Sequence, residues 1–245
     1  AKRGIGMDID LGATAADLGR AIAAGRIDPV DLTDAYLSAI ADHPDADRIY
    51  ARTTPDRARG EARAASHRAK SGQRLGPLDG VPVSWKDLFD TGGTATESGS
   101  LLLKGRVPAA DARVLANATA QGLICLGKTH MTELAFSGLG INPSTATPPN
   151  AIDPSLAPGG SSSGAAVSVA LCLAAAAIGS DTGGSVRNPA AWNGLVGLKT
   201  THGRLSLDGV VPLIPRFDTV GPLTRSVEDA ALLLAVLEGT RPADL

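Results

Sequence analysis

The longest apolar stretch of the chain, Ala165–Ile178, restricts the possible folds more than any other feature of the sequence. Only Ser168 interrupts it, and the stretch is too short to span a bilayer. Because it is apolar on every side, we expect residues 164–178 to form a helix that is buried in the core. Aromatic residues make up only 3% of the chain, so we expect small, closely packed residues around this helix.

Helical and strand-like patterns alternate along the rest of the sequence. Capping residues and the spacing of apolar residues predict N-terminal helices that begin after Thr14 and at Pro29. Further helices are expected at residues 56–70, 109–121 and 226–237, the last with Ser226 as its N-cap. Short β-prone segments predict strands at residues 81–85, 123–126 and 195–198. This alternation is typical of an α/β fold in which helices cover a sheet.

Composition and charge exclude several classes of protein. A net charge of −2 without a basic patch argues against binding to nucleic acid. No apolar stretch is long enough to span a membrane. The first residues also lack the apolar segment of a signal peptide, so we expect a cytoplasmic protein. Both cysteines, Cys125 and Cys172, lie within apolar runs and are expected to be buried thiols. The histidines are isolated from one another, which gives a metal site no support.

Three consecutive serines, at positions 161–163, stand at the start of the apolar stretch. With the flanking glycines they fit G-x-S-x-G, the nucleophile elbow of α/β-hydrolases, in which Ser162 would be the nucleophile. An elbow needs a strand that runs into the serine, but residues 150–158 contain two prolines and are typical of a loop. His202 is the only histidine downstream of the motif. An esterase that uses Ser162 stays open as an alternative.

A second glycine motif, residues 122–129, matches the phosphate-binding P-loop pattern G-x-x-x-x-G-K-[ST]. In a P-loop the strand comes before the first glycine, and the residues after that glycine form an open loop. Here the apolar residues 123–126 are themselves the expected strand, and a helix precedes Gly122. Nucleotide binding is therefore an alternative that the context of the motif disfavours.

A third motif, Thr182-Gly183-Gly184-Ser185, is a glycine turn that ends in a serine. Glycines let successive backbone N–H groups point at one spot, and such a nest suits the developing oxyanion of an acyl transfer. A serine at the end of this turn is well placed as a nucleophile. From these residues alone, a plain β-turn explains the motif equally well.

Several long motifs occur in an order and at spacings that resemble those of the amidase signature family. They are GVPVSWKDLFDTGG (80–93), LICLGKTHMTELAFSG (123–138), PGGSSSGAAVSVA (158–170), GSDTGGSVRNPAAWNGLVGLKTTHGRLS (179–206) and FDTVGPLTRSVEDAALLL (217–234). The resemblance covers residues 80–237 and is weaker from Thr14. It implies an α/β fold with a mixed β-sheet core that helices cover on both faces.

The resemblance implies a Ser–Ser–Lys triad and no cofactor. Carried over to this sequence, Ser185 is the nucleophile that forms the acyl-enzyme, Ser161 is the bridging serine and Lys86 is the base. The base must be neutral to accept a proton, and burial lowers the pKa of a catalytic lysine toward about 7–8. The backbone N–H groups implied for the oxyanion hole are those of Thr182, Gly183, Gly184 and Ser185.

Supporting residues follow from the same resemblance, which implies a cis peptide bond between Gly160 and Ser161. Ser162 and Ser163 are then expected to cap the buried helix rather than to react. Asp181 and Arg187 lie beside the glycine turn, and they are expected to lock its conformation.

Catalytic domains of this family are longer than the present chain. We therefore expect residues 1–245 to be the N-terminal portion of a single catalytic domain. A lone half would expose sheet edge and core, so the missing C-terminal half is the expected partner, with a homo-oligomer as a further one. The expected substrate is a small-molecule amide, with carbamates and esters as side substrates. The alternative class is a non-catalytic or assembly component of a split amidase or amidotransferase.

Overall fold

The computed structural model describes residues 9–240, which form a mixed sheet of six strands together with eight α-helices. The helices are α1 (Ala15–Ala23), α2 (Pro29–Asp42), α3 (Ala46–Ile49), α4 (Pro55–Lys70), α5 (Arg113–Ala120), α6 (Ser163–Ala170), α7 (Arg187–Trp192) and α8 (Val227–Glu238). The strands are β1 (Tyr50–Thr53), β2 (Pro82–Lys86), β3 (Ile124–Thr129), β4 (Ala176–Asp181), β5 (Val196–Gly197) and β6 (Thr219–Thr224).

The order of the six strands in the sheet is β1-β3-β2-β4-β6-β5. Strands β3, β2 and β4 run parallel, whereas β1 pairs antiparallel with β3, and β6 pairs antiparallel with β4 and β5. All five residues of β2 are buried, although successive side chains of a strand point to opposite faces. Both faces of the sheet therefore lie beneath helices, and the expected α/β fold is confirmed.

Two parallel strands bring distant residues to one edge of the sheet. Lys86 is the last residue of β2, and Asp181 is the last residue of β4. The register pairs Trp85 with Ile178, so the chain leaves both strands on the same side. The glycine turn that follows β4 consequently lies at the edge where β2 ends, which is where parallel sheets place their binding sites.

The apolar stretch is a helix only in its first half. Helix α6 ends within it and β4 begins within it, so the prediction of one helix over residues 164–178 is wrong. Cys172 has a φ of 58° and makes the left-handed turn that ends the helix, while the Leu173 N–H donates to the Ser168 carbonyl. Periodicity cannot distinguish a buried helix from a buried strand where every residue is apolar.

The other predicted elements are present, with differences at their ends. Thr14, Asp28 and Ser226 cap α1, α2 and α8 through their side chains, as predicted. Helix α5 is shorter than expected, and the sequence pattern does not predict α3, α7, β1 or β6. Strand β6 contains Gly221 and Pro222, which weaken the sequence signal for a strand.

Helix α6 packs so closely on its neighbours that its first turn requires a glycine. A Cβ added at Gly164 would lie 2.4 Å from the carbonyl oxygen of Ile49 and 2.8 Å from the backbone nitrogen of His130. Farther along α6, the Ser168 hydroxyl forms a 2.8 Å hydrogen bond with the Ser84 hydroxyl on β2. The small residues of α6 thus allow the helix to lie close to β2 and to the backbone of Ile49 and His130.

Replacing Gly164 with alanine should lower the free energy of unfolding by about 1–3 kcal/mol, because the added methyl group meets backbone atoms that cannot move aside. Gly60 in α4 is the matched control, since a Cβ there meets only the Arg63 guanidinium, at 3.9 Å. Gly60→Ala should raise the free energy of unfolding by about 0.5–1 kcal/mol. Urea denaturation measures both changes, and equal effects would contradict the close packing of α6.

Candidate active site

Lys86 lies at the end of β2 and is completely buried. Its Nζ atom is 2.6 Å from Ser161 Oγ and 2.9 Å from Ser180 Oγ. Burial lowers the pKa of this lysine from 10.5 to about 7, although the negative charges of Asp181 and Asp218 act in the opposite direction. A substantial fraction of the amine is therefore neutral near pH 7, which is the state that a general base needs.

Ser161 occupies a loop that backbone hydrogen bonds hold on both sides. The peptide bond that joins it to Gly160 is cis, as the resemblance implies. The Gly160 N–H donates to the Gly138 carbonyl at 2.8 Å, and the Thr132 N–H donates to the Ser161 carbonyl at 3.2 Å. A Cβ at Gly160 would lie 2.6 Å from the Gly140 nitrogen, so only glycine fits there.

Ser185 ends the glycine turn and keeps 8% of its surface exposed, whereas Ser161 has none. Its carbonyl accepts a 3.3 Å hydrogen bond from the Ser162 N–H. The two loops that carry the predicted serines are thus joined one residue from Ser161. The structure brings Lys86, Ser161 and the Ser185 turn together at one edge of the sheet.

Asp181 holds the far end of the glycine turn. Its fully buried carboxylate accepts hydrogen bonds from the N–H groups of Gly184 at 2.7 Å and Val186 at 3.1 Å. The Arg187 guanidinium donates to both carboxylate oxygens at 3.0 Å. Burial alone would raise the pKa of Asp181, but the Arg187 side chain and these N–H groups hold it below its usual value. The Gly184 N–H is bound to Asp181 and is therefore not free to bind an oxyanion. The prediction that all four turn residues contribute N–H groups to an oxyanion hole is wrong for Gly184.

Three residues that sequence reasoning did not identify lie next to the predicted ones: Asp218 just before β6, Thr219 at its start and Ser180 in β4. The Asp218 carboxylate accepts a 2.5 Å hydrogen bond from the Thr182 hydroxyl, and the Thr219 hydroxyl donates to the Asp181 carbonyl at 2.7 Å. Ser180 hydrogen-bonds to Lys86. Asp218 and Ser180 lie within recognised motifs, but their contacts depend on strand pairing. The pairing of β4 with β6 brings Asp218 to the turn, and the pairing of β4 with β2 brings Ser180 to Lys86.

Ser162 is buried and does not act as the elbow motif requires. Its hydroxyl donates to the Ser180 carbonyl at 3.3 Å, and the residues before it form no strand in the described part of the chain. The expected capping of α6 is also wrong, because Ser162 makes no side-chain capping bond and the Ser163 hydroxyl donates to the His130 carbonyl. Both hydroxyls instead satisfy carbonyls of neighbouring segments.

The P-loop pattern is part of the sheet. Gly127, Lys128 and Thr129 are the last residues of β3, so this segment forms no open loop. Lys128 is completely buried, its Nζ atom 2.9 Å from Thr96 Oγ1 and 3.3 Å from an Asp87 carboxylate oxygen. This lysine is a partner of Asp87 and has no access to a phosphate.

Other predicted properties concern metals, cysteines and membranes. No cluster of three or more potential metal ligands occurs within residues 9–240. Cys125 is a buried free thiol, as predicted, whereas Cys172 is only half-buried. No helix in the described region is long and apolar enough to cross a membrane. The cytoplasmic location stays a prediction.

Proteins of known family match this chain over most of its length. The family model described as Amidase matches residues 31–245. The A subunit of glutamyl-tRNA(Gln) amidotransferase from Anaeromyxobacter sp. (strain K) is 43% identical over 94% of this chain and 46% of its own length. The corresponding protein from Chloroflexus aurantiacus (strain ATCC 29366 / DSM 635 / J-10-fl) is 41% identical over 91% of this chain and 46% of its own length.

Solved structures give the same result. The peptide amidase from Stenotrophomonas maltophilia has a TM-score of 0.86 and 40% identity, covering 91% of this chain and 47% of its own. Fatty acid amide hydrolase has a TM-score of 0.84 and 26% identity, covering 94% of this chain and 42% of its own. The chain spans about half the length of the curated relatives that it matches. By its motifs, its fold and these relatives, the chain belongs to the amidase signature family.

Proposed function

We propose that this chain carries the catalytic residues of an amide-bond hydrolase that forms an acyl-enzyme on Ser185. The single observation that supports this most is the contact of a buried, readily deprotonated Lys86 with Ser161 at 2.6 Å. A serine hydroxyl is a poor nucleophile until a base takes its proton, and a neutral lysine can do so. Ser161 contacts this base, and its neighbour Ser162 is hydrogen-bonded to the carbonyl of Ser185, so we assign Ser161 as the relay for the proton.

The orientation of the Lys86 amine favours the relay. A neutral amine has two N–H groups and one lone pair, and one N–H can donate to Ser180 Oγ at 2.9 Å. That bond leaves the lone pair free to accept the proton of the Ser161 hydroxyl. Ser180 therefore serves as a positioning residue for the base.

The proposed reaction begins when Ser185 Oγ attacks the carbonyl carbon of the amide. The Ser185 proton passes to Ser161 Oγ as the proton of Ser161 passes to Lys86 Nζ. The backbone N–H groups of Thr182, Gly183 and Ser185 stabilise the negative oxygen of the tetrahedral intermediate. The C–N bond then breaks, the proton returns through Ser161 to the leaving amine, and the acyl group stays on Ser185 as an ester. Water, deprotonated through the same relay, attacks this ester and frees Ser185.

The A subunit of a glutamyl-tRNA(Gln) amidotransferase is the second candidate. This candidate is favoured by curated relatives with up to 43% identity, which carry that name. The peptide amidase among the structural neighbours favours the first candidate instead. We propose the same acyl-enzyme step for both candidates, with a small-molecule amide as substrate of the first. In both, the remainder of the fold is the proposed partner, because the relatives are about twice as long as the matched segment.

The rate should depend on pH through the base. Since only neutral Lys86 accepts a proton, kcat should rise as the pH increases through about 7 and then level off. Lys86→Ala should lower kcat by about 10²- to 10⁴-fold, and Lys86→Arg should do nearly the same because a guanidinium stays protonated. Steady-state kinetics from pH 5 to about 9 measure this. His202→Ala is the control and should retain its rate; an active Lys86→Arg enzyme would contradict the assignment of the base.

A serine-directed phosphonate should label Ser185, because that hydroxyl combines exposure with access to the relay. Mass spectrometry of the digested protein locates the adduct. Ser185→Ala should abolish labelling, whereas Ser162→Ala should leave it in place. An adduct on Ser162 would instead support the esterase alternative.

The two candidate functions differ in the fate of the nitrogen that leaves the cleaved amide. A hydrolase releases it to solution, whereas an amidotransferase transfers it to glutamyl-tRNA(Gln). If the first candidate is right, the enzyme that contains this chain should release ammonia from small primary amides, including peptide amides, without any RNA present. Amidation of glutamyl-tRNA(Gln) in the absence of peptide-amide hydrolysis would identify the second candidate instead. Loss of either activity in Ser185→Ala would show that the activity comes from this site, and turnover that survives the substitution would refute the catalytic proposal.

A further inference from the structure

Asp218 connects three segments around the glycine turn. It is only 5% exposed and directly precedes β6. One carboxylate oxygen accepts the hydroxyl of Thr182 at 2.5 Å and the N–H of Ile214 at 3.0 Å. The other accepts the N–H groups of Leu213 at 2.9 Å and Ile214 at 3.0 Å. A buried carboxylate with four such bonds is held in one position.

The position of Asp218 follows from strand pairing. Asp181 and Thr219 are paired at the ends of β4 and β6, so the residues just outside this pair, Thr182 and Asp218, face each other. The Thr219 hydroxyl also donates to the Asp181 carbonyl. The start of the glycine turn is thereby attached to β6, while the Asp181 carboxylate holds its end through Gly184.

The first two peptide units of the turn carry N–H groups that the proposed reaction needs. Gly183 has no side chain with which to fix their direction, and a Cβ at this position would meet nothing within 4 Å. The only side chain at the start of the turn is that of Thr182, and its hydroxyl is bound to Asp218. The Thr219 hydroxyl already holds the peptide unit that contains the Thr182 N–H, through the Asp181 carbonyl. The orientation of the next N–H group, that of Gly183, therefore depends on the bond between Thr182 and Asp218 more than on packing.

We propose that Asp218 is a positioning residue, which fixes Thr182 so that the Gly183 N–H is aimed at the developing oxyanion. This proposal rests on the proposed acyl-enzyme function of Ser185. Through Leu213 and Ile214 the same carboxylate holds a second segment. Leu213 lines an open cavity of about 600 Å³ together with Thr132 and Ser137, from the loop that contacts Ser161. Asp218 thus connects the wall of this cavity to the glycine turn.

Thr182→Val tests the link to the turn with the smallest change. It removes the hydroxyl, keeps the shape of the side chain and leaves the bonds from Asp218 to Leu213 and Ile214 in place. We expect kcat to fall by about tenfold to a hundredfold with little change in KM. Thr182→Ser restores the hydroxyl and should recover most of the rate.

Thr200→Val is the matched control. The Thr200 hydroxyl is also buried, and it donates to the carbonyl of Val220 in β6 at 2.8 Å. It should lower stability without lowering kcat. Equal kcat values for Thr182→Val and Thr200→Val would overturn the proposal. Failure of Thr182→Ser to recover the rate would do so as well, since the hydroxyl would then not be the responsible group.

Asp218→Asn adds a readout that a purely structural role would not move. Two carboxylates act on the charge of the base, those of Asp181 and Asp218. Asp181 is paired with Arg187. His202 lies beside Asp218, with its Nδ1 atom 3.2 Å from the backbone carbonyl oxygen of Asp218. Removing the negative charge of Asp218 should make protonated Lys86 less stable and move the midpoint of the kcat profile to lower pH, whereas Thr182→Val should leave it unchanged. An unmoved midpoint in Asp218→Asn, together with normal kcat, would refute the role of this residue.

Phosphonate labelling of Ser185 in the same proteins separates this proposal from the one on which it rests. Labelling of the unchanged enzyme with a normal rate in Thr182→Val would overturn the role of Asp218 alone. Absence of labelling in the unchanged enzyme would overturn the acyl-enzyme function and this proposal with it. The free energy of unfolding, measured for each variant by urea denaturation, identifies any rate loss caused by unfolding.

Discussion

The burial of Lys86 against hydroxyl groups is the interaction on which the other features of the site depend. An ammonium group in this position loses its hydration, and only the hydroxyls of Ser161 and Ser180 lie at hydrogen-bond distance within the described part of the chain. The group responds by releasing its proton more readily. Lys128 on the adjacent strand β3 is equally buried but lies 3.3 Å from the Asp87 carboxylate. Burial lowers the pKa of both lysines, and the partner decides whether the amine is part of an ion pair or available as a base.

Close packing by small residues is what makes such burial possible. Strand β2 is covered on both faces, and α6 approaches it across serine, alanine and glycine side chains. Bulky residues in α6 would separate the helix from the sheet and carry Ser161 away from Lys86. The low aromatic content of the chain is thus related to the chemistry of the site as well as to its packing.

The sequence predicts which residues lie at the candidate site better than it predicts the framework that holds them. Long motifs that resemble those of a family point to Lys86, Ser161 and Ser185, which the structure brings close together. Helix caps such as Ser226 are predictable because capping is a local interaction. Strand β4 was missed because the apolar stretch has no periodicity. The roles of Ser162, Ser180 and Asp218 could not be predicted, because each depends on pairing between segments that are distant in sequence.

The serine-bearing loops are the two ends of one continuous unit, in which α6 turns directly into β4. The distance between the Ser161 and Ser185 side chains is consequently set within this single unit of helix and strand. The cavity walls near Leu213 and Thr132 come from other parts of the chain. Substitutions in those walls therefore change the shape of the cavity without changing the helix and strand that hold the two serines apart.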